Sequence, residues 1–303
     1  MTALTTASGG WLRAHGFLSG HGALHLGRTE DAAEFAEFAA RFADTVNLVP
    51  VAPAERISGL RRVWSRALLE SSCMRVDVAG MHSHYLNVAR TNGAALHLRT
   101  ELEHAVHDAS GWVLRAGGET HRARVLVNAA GAWADEVARR CGVRPLGIIP
   151  HRRTMVQVRL AQPLPAALPV VFDINGKFYF KAEGRDRLWL SPQDETPSPA
   201  CDVAPEELDV AVAIDRLTRV VDWEIAAVER RWAGLRSFAP DRLPVYGFDT
   251  GQPRFFWCAG QGGFGIQTAP AAAQLCAALL LDRPHDVRPT AIDAASFSPE
   301  RFG

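Results

Sequence analysis

A glycine-rich turn near the end of the sequence carries its clearest chemical signal. An apolar run at 255–259 is followed by Gly260, Gly262, Gly263 and Gly265, and then by a segment with helical character. Glycines let a ligand approach the backbone, and a helix N-terminus presents free N–H groups and a partial positive charge to an anion. The turn therefore suits a flat ligand that becomes negative during reaction, although the same residues could form an ordinary turn before a helix.

The spacing of this turn, G-x-G-x-x-G after a strand, is also that of a dinucleotide-binding fingerprint. A complete fingerprint needs a further strand that ends in an acid about 20 residues on. The acid at that distance is Asp282, which lies at the end of the predicted helix itself. A complete Rossmann unit is therefore not predicted at this turn.

Histidines that lie close together in the sequence were considered as metal ligands. The pairs are His21 and His25, His82 and His84, and His104 and His107. No H-E-x-x-H motif or nearby carboxylate cluster accompanies them, so we expect ordinary surface histidines and no metal site.

The composition is that of a globular enzyme-sized protein. A length of 303 residues corresponds to about two domains. Basic and acidic residues balance at 33 each, so no overall basic field would draw the chain to nucleic acid. We expect a small-molecule substrate and no nucleic-acid partner.

Cysteine use and hydropathy predict a cytoplasmic protein without a membrane span. The five cysteines are far apart and form no C-x-x-C pair, which disfavours a disulfide scaffold. The first residues lack the pattern of a signal peptide. The apolar stretch 269–281 is shorter than the ~20 residues that a membrane helix requires.

The elements that must position the glycine turn follow from periodicity and turn residues. Helices are predicted at 31–46, 80–90, 133–141, 205–221 and 265–281, and strands in a meander over 94–128, in several runs over 150–191, and at 229–238 and 255–259. Asn175-Gly176 predicts a hairpin turn. Strand-rich blocks that alternate with strand–turn–helix units indicate an α/β or α+β fold with two interleaved lobes.

Three ordered motifs resemble the D-amino acid oxidase type of FAD-dependent oxidoreductases. They are VLVNAAGAWA at 125–134, RWAGLRSFAPD at 231–241, and the glycine turn with the following IQTAP at 266–270. Within the family, the phrases WAGLRSF, FFW, QGG and GIQT most resemble D-arginine dehydrogenases. The resemblance extends, more weakly, from about Ala3 to the end of the sequence.

The resemblance implies FAD as the cofactor and residues from three segments that contact it. The residues that match flavin-binding positions are Ala129, Ala130, Gly131, Trp133, Gly234, Gly260, Gly262, Gly263, Gly265 and Ile266. The helix that begins at the glycine turn would then point its N-terminus at the pyrimidine end of the flavin.

The resemblance also implies four residues on the substrate side. Arg236 matches a carboxylate-binding arginine, a role that suits a planar guanidinium fork. Tyr179 and Arg153 match further substrate positions, and Gln267 matches a polar contact near the reacting carbon. Tyr179 as a packed strand aromatic and Arg153 as an exposed charge at a strand end stay open as alternatives.

Family members begin with a strand, G-x-G-x-x-G and a helix that bind the ADP half of FAD. The sequence aligns only after that unit, so we expect a flavin lobe without its first βαβ unit at 1–20, 80–141 and 232–303. An antiparallel-sheet substrate lobe is expected at 21–79 and 142–231.

The implied reaction is oxidation of a D-amino acid or related amine to an imino acid, with hydride transfer to flavin. Water then gives a 2-oxo acid and ammonia. The electron acceptor stays open. Segment 19–24 has no acidic residue to hold a basic side chain, so arginine specificity is not expected. Two alternatives remain: a catalytically silent, N-terminally truncated fragment, and an oxidase of secondary amines such as N-methyl amino acids.

Overall fold

The computed structural model describes residues 1–283 and 292–303. Within these residues the α-helices are α1 (Thr2–Ala14), α2 (Ala32–Phe42), α3 (Val78–Thr91), α4 (Ala134–Arg140), α5 (Glu207–Val220) and α6 (Gly265–Leu280). Short 3-10 helices cover Thr29–Asp31, Pro53–Glu55, Gly131–Trp133, Ala294–Phe297 and Pro299–Phe302.

The strands form one large sheet and three small ones in the described part of the chain. In chain order they are β1 (Leu18–Ser19), β2 (Ala23–Gly27), β3 (Leu48–Val51), β4 (Arg66–Glu70), β5 (Arg75–Val76), β6 (Leu102–Asp108), β7 (Gly111–Ala116), β8 (Glu119–Ala123), β9 (Leu126–Asn128), β10 (Ile149–Leu160), β11 (Val170–Asp173), β12 (Tyr179–Ala182), β13 (Arg187–Ser191), β14 (Thr196–Pro197), β15 (Ile225–Phe238), β16 (Val245–Phe248) and β17 (Phe255–Ala259).

The large sheet has the order β14-β10-β13-β12-β11-β2-β4-β3, and β15 pairs with β10 along its length. Only β2 and β11 pair in parallel in this sheet, as far as the described residues show. One face packs on α5, because alternate strand residues such as Val156, Phe180 and Leu190 are buried against Leu217 and Val220 of that helix. The opposite face carries the strand residues that alternate with these, and the candidate substrate residues are among them.

The small sheet β16-β17-β9 positions the two predicted flavin turns. Strands β9 and β17 run parallel, with Asn128 opposite Trp257. Each is followed by a turn and a helix, which are residues 129–133 with α4 and residues 260–264 with α6. The two turns therefore leave the carboxyl edge of one sheet side by side, where ligands of open α/β sheets bind.

Most of the predicted elements are present, but the strand expected within 94–100 is wrong. Residues 94–98 have no regular structure, Leu98 is 71% exposed, and Arg99 has a φ of +56°. Alternation alone predicts a strand there, but none of the strands in the described residues pairs with this segment. The predicted domain boundaries stay a prediction. The boundary expected between 231 and 232 falls inside β15, which runs from 225 to 238.

Asp135, at the start of α4, is expected to be important for stability. Its buried carboxylate accepts hydrogen bonds from the backbone N–H groups of Leu146, Gly147 and Ile148, at 3.2, 2.9 and 3.0 Å. Asp135→Ala leaves these donors unpaired, so we expect the free energy of unfolding to fall by about 3 kcal/mol in urea denaturation. Asp44→Ala, at an exposed aspartate, is the control. A similar small loss in both variants would contradict this role.

Candidate active site

The first predicted flavin turn is held by a buried asparagine. Asn128 is 2% exposed, and its side-chain amide donates to the carbonyl of Ala134 at 2.8 Å while its side-chain oxygen accepts from the N–H of Ala130 at 3.3 Å. Gly131 has a φ of +57°, a conformation that favours glycine. The sequence motif contains Asn128, but its positioning role becomes visible only with these two contacts.

The second predicted flavin turn is hydrogen-bonded to β15. The N–H of Gly262 donates to the carbonyl of Ser237 at 2.8 Å, and Gly262 has a φ of +55°. A Cβ at this position would collide with the Phe238 ring. The glycine is therefore required both by the backbone conformation and by the close approach of the ring.

Large apolar side chains are exposed around both turns. Trp133, Phe264 and Ile266 are 43%, 43% and 52% exposed. The 3-10 helix that ends at Trp133 packs on β15, the strand that contains the exposed Gly234. The structure therefore brings the predicted flavin residues from three separate segments to one edge of the small sheet, with apolar surface that suits a flat aromatic ligand.

Arg236 lies directly over the second turn. A Cβ built on Gly263 would be 2.9 Å from Nη1 and 3.3 Å from Cζ of Arg236. The side chain is partly exposed, and none of the acidic residues in the described part of the chain forms an ion pair with it. Its guanidinium is thus free to bind an anion next to the glycine turn.

Arg153 is beside Arg236 on the same face of the large sheet. In the β10–β15 pairing Arg153 is opposite Gly234, which places Arg236 on the diagonal, within reach of a long side chain. Burial, and then the positive charge of Arg236, lower the pKa of Arg153. Its Nε donates to the carbonyl of Asp194 at 2.7 Å. The residue is 8% exposed in mid-strand, so the exposed strand-end alternative is wrong.

Tyr179 completes this group from β12. Its hydroxyl donates to Sδ of Met155 at 2.9 Å, and its ring lies 5.7 Å from that of Phe172. Burial raises the pKa of Tyr179, while the charges of Arg236 and Arg153 oppose that rise. The phenol is therefore neutral at physiological pH and can donate a hydrogen bond beside the two guanidiniums.

A carboxylate that the sequence analysis did not single out holds this group together. Asp194 accepts from the N–H and Oγ1 of Thr154 at 2.7 and 2.9 Å, and its own carbonyl accepts from Arg153. Nε of Arg152 lies 3.7 Å from Oδ2 of Asp194, and the same guanidinium also forms ion pairs with Glu206 and Asp209. The partners lie about 40 residues or more from Arg152–Thr154 in sequence, so no local motif indicates the network.

Gln267 points elsewhere in this structure. Its side-chain amide donates to Oγ1 of Thr5 in α1 at 2.9 Å. Gly265, another predicted residue of this turn of α6, packs on Gln261, where a Cβ would be 3.1 Å from Cβ of that residue. The predicted contact of Gln267 with the reacting carbon stays a prediction.

His25 corrects the expectation that the paired histidines lie on the surface. It is 9% exposed, and its Nε2 lies 3.2 Å from Oε2 of Glu70. β2 is central in the large sheet, which buries the side chain. Within residues 1–283 and 292–303, no three His, Cys, Asp or Glu side chains are grouped so as to hold a metal ion. In the same residues, every helix is too short or too polar to cross a bilayer.

Comparisons with known proteins agree with this geometry. A family model described as DAO, FAD dependent oxidoreductase, matches residues 10–279. Glycine oxidase of Geobacillus kaustophilus is 32% identical over 214 residues, which cover 70% of this chain and 54% of that protein. Mitochondrial dimethylglycine dehydrogenase of Mus musculus is 26% identical over 211 residues, which cover 63% and 24%.

The solved structures give the same fold. The crystal structure of glycine oxidase from Geobacillus kaustophilus superposes with a TM-score of 0.80 at 25% identity, and the match covers 98% of this chain and 80% of that chain. The predicted mixed α/β class with antiparallel sheets is therefore confirmed. In sequence, the chain spans about half the length of the curated relatives it matches, 54% and 50% for the first two.

Proposed function

Because the chain belongs to the DAO family of FAD-dependent oxidoreductases, we propose that it oxidises an amino acid or a related amine. The substrate would be a D-amino acid, and the product an imino acid that water converts to a 2-oxo acid and ammonia. The observation that carries this proposal is the Arg236 guanidinium, which lies against Gly263 and has no acidic partner in the described residues. A substrate carboxylate would provide that partner.

The residues present fit the ring system of FAD. Turns 129–133 and 260–264 lie side by side, and Trp133, Phe264 and Ile266 offer exposed apolar surface beside them. The N-terminus of α6, a helix of 16 residues, adds a partial positive charge at the second turn. When bound, the flavin supplies the chemistry of a two-electron acceptor.

The chain's own residues would bind and orient the substrate. Arg236 and Arg153 would hold the carboxylate, and the neutral Tyr179 would donate a hydrogen bond to it in place of the one that it donates to Sδ of Met155. Fixing the carboxylate in this way orients Cα toward the glycine turn, so that less rotational freedom is lost in the reaction itself. The two guanidinium charges also lower the pKa of the substrate ammonium, which favours the neutral amine needed for oxidation.

The nature of the side chain is the finer part of the proposal. The resemblance to D-arginine dehydrogenases supports a D-amino acid, but segment 19–24 offers no carboxylate for a basic group. A secondary amine is the second candidate, because a relative is named dimethylglycine dehydrogenase and Arg236 would serve its carboxylate equally. The cytoplasmic location is part of the same proposal, since all five cysteines are free.

Reduction of bound flavin tests the proposal directly. The purified chain is kept in excess FAD, with FAD alone as the blank, and the flavin absorbance is followed without oxygen after addition of D-alanine, glycine or N-methylglycine. We expect bleaching by at least one of them, with a 2-oxo acid and an amine as products. Bound flavin that no amino acid or amine bleaches would contradict the proposed activity, and failure to bind FAD would favour the catalytically silent alternative.

A further inference from the structure

Two of the five cysteines lie in contact beneath the second flavin turn. Cys258 is in β17 and Cys276 is in α6, and their sulfur atoms are 3.9 Å apart. Both pack in the small-sheet core, in which Leu275 and Phe256 are fully buried. Cys258 comes directly before Ala259 and the turn Gly260–Gly265, and its sulfur accepts from the side-chain amide of Gln261 in that turn.

The two thiols are not equivalent. Cys258 is partly exposed, whereas Cys276 is 7% exposed. The thiol of Cys276 donates to the sulfur of Cys258, which lowers the pKa of Cys258, and the same contact with burial raises the pKa of Cys276. Cys258 is therefore the more exposed and the more acidic thiol of the pair, which makes it the candidate attacking sulfur, and Cys276 lies in contact with it to react next.

We propose that Cys258 and Cys276 form a reversible disulfide, at a site that contains none of the predicted substrate residues. A disulfide requires a sulfur–sulfur distance of about 2.0 Å, so the two sulfurs must move closer together than the 3.9 Å of this structure. The side-chain amide of Gln261 donates to Cys258, and burial, together with the charges of the two cysteines, raises the pKa of Tyr246 in the same core.

Hydrogen peroxide is the oxidant that we name for this step. The Cys258 thiolate attacks one peroxide oxygen, the O–O bond breaks, and the leaving hydroxide takes a proton to become water. The sulfur of Cys276 then attacks the sulfur of the resulting sulfenic acid, the S–O bond breaks, and a second water leaves. The two thiols lose two electrons and two protons, and the peroxide is reduced to two water molecules.

Oxidation would change the turn that carries Gly263. The side-chain amide of Gln261 donates to Cys258 at 3.8 Å, and Gln261 also bridges to Phe238 at the end of β15. A disulfide replaces the thiol that receives this contact and links α6 covalently to β17 on either side of the turn. Oxidation of the pair would thereby alter the backbone at Gly263, against which the Arg236 guanidinium lies.

Thiol counting on the purified chain tests the site without any enzyme activity. A Cys201→Ser variant removes the exposed cysteine, which leaves four thiols. After treatment with hydrogen peroxide, we expect two of the four to be lost, with the mass of two hydrogen atoms, and dithiothreitol to restore both. Peptide mapping should show a cross-link between the peptides that contain Cys258 and Cys276.

Variants of the pair separate this site from general oxidation. Adding Cys276→Ser should abolish the reversible loss of thiols, whereas adding Cys141→Ser, at a buried cysteine in another core, should leave it unchanged. If the peroxide-treated chain keeps all four thiols, or cross-links other cysteines, the proposal is wrong. Neither result bears on the amino acid oxidation proposed above.

Discussion

Replacing Arg236 by alanine is expected to raise the dissociation constant for an amino acid about 100-fold. The guanidinium is held next to Gly263 without an acidic partner in the described chain, so the substrate carboxylate would form its main ion pair. Loss of a charge-assisted, two-pronged contact of this kind costs about 3 kcal/mol, which corresponds to that factor. Binding of D-alanine, or of whichever amino acid bleaches the flavin, can be measured by calorimetry on the FAD-loaded chain.

Two further variants make the Arg236 measurement specific. Arg236→Lys keeps the charge but not the planar fork, so we expect an intermediate loss. Arg230→Ala removes an exposed arginine from the same strand and should bind the amino acid as the unchanged protein does. If Arg236→Ala retained full affinity, the carboxylate role of this residue would be refuted.

The sequence predicts the parts of this site better than their arrangement. The glycine turn and the strand before α4 can be found from local residue patterns, whereas Arg236 is indicated by the family resemblance of the segment around it. The contact between Arg236 and Gly263 depends on the position of β15 beside the glycine turn. The pairing of β15 with β10 over twelve residue pairs contributes to that position. Register between strands about 70 residues apart follows from the packing of the whole sheet, and no local pattern contains it.

Helix α1 shows why one entire element escapes sequence-based prediction. Gly9 and Gly10 lie inside it, and glycine disfavours a helix by about 1 kcal/mol per residue. Contacts with α6 compensate for this cost. The hydroxyl oxygen of Ser8 accepts from the N–H of Ala271 at 3.1 Å, and Ala271 directly follows Pro270 inside that helix. Tertiary packing therefore overrides the local propensity.

Strand β2 escapes prediction for a different reason. All five of its residues, from Ala23 to Gly27, are buried, so the sequence shows no alternation of apolar and polar positions. The strand is central in the large sheet, between β11 and β4. Its His25 is consequently buried with Glu70, an arrangement that spacing between histidines could not indicate.

Gly263→Val is expected to weaken amino acid binding nearly as much as Arg236→Ala. The new Cβ would lie 2.9 Å from Nη1 of Arg236, so the guanidinium has to move. That atom is the far end of a flexible side chain, and Gly263 has no positive φ. Gly263→Val should therefore lower the free energy of unfolding by less than about 1 kcal/mol. We expect the dissociation constant for the amino acid to rise 30- to 100-fold, roughly 2–3 kcal/mol, with thermal unfolding little changed.

The matched control is Gly10→Val, at an exposed helical glycine with no atom within 4 Å of a Cβ. It adds the same side chain elsewhere and should leave binding unaltered. Gly263→Ala should fall between the two, because it introduces the close contact without the additional methyl groups. Unchanged affinity in Gly263→Val would show that Arg236 can bind from another position.

A double variant distinguishes displacement of Arg236 from a separate defect in the turn. If Gly263→Val acts by moving the guanidinium, the side chain has nothing left to displace once Arg236 is alanine. The combined variant should then bind the amino acid as weakly as Arg236→Ala alone, and the two losses should fail to add by about 2 kcal/mol or more. Additive losses would mean that Gly263 contributes through the backbone turn, independently of Arg236.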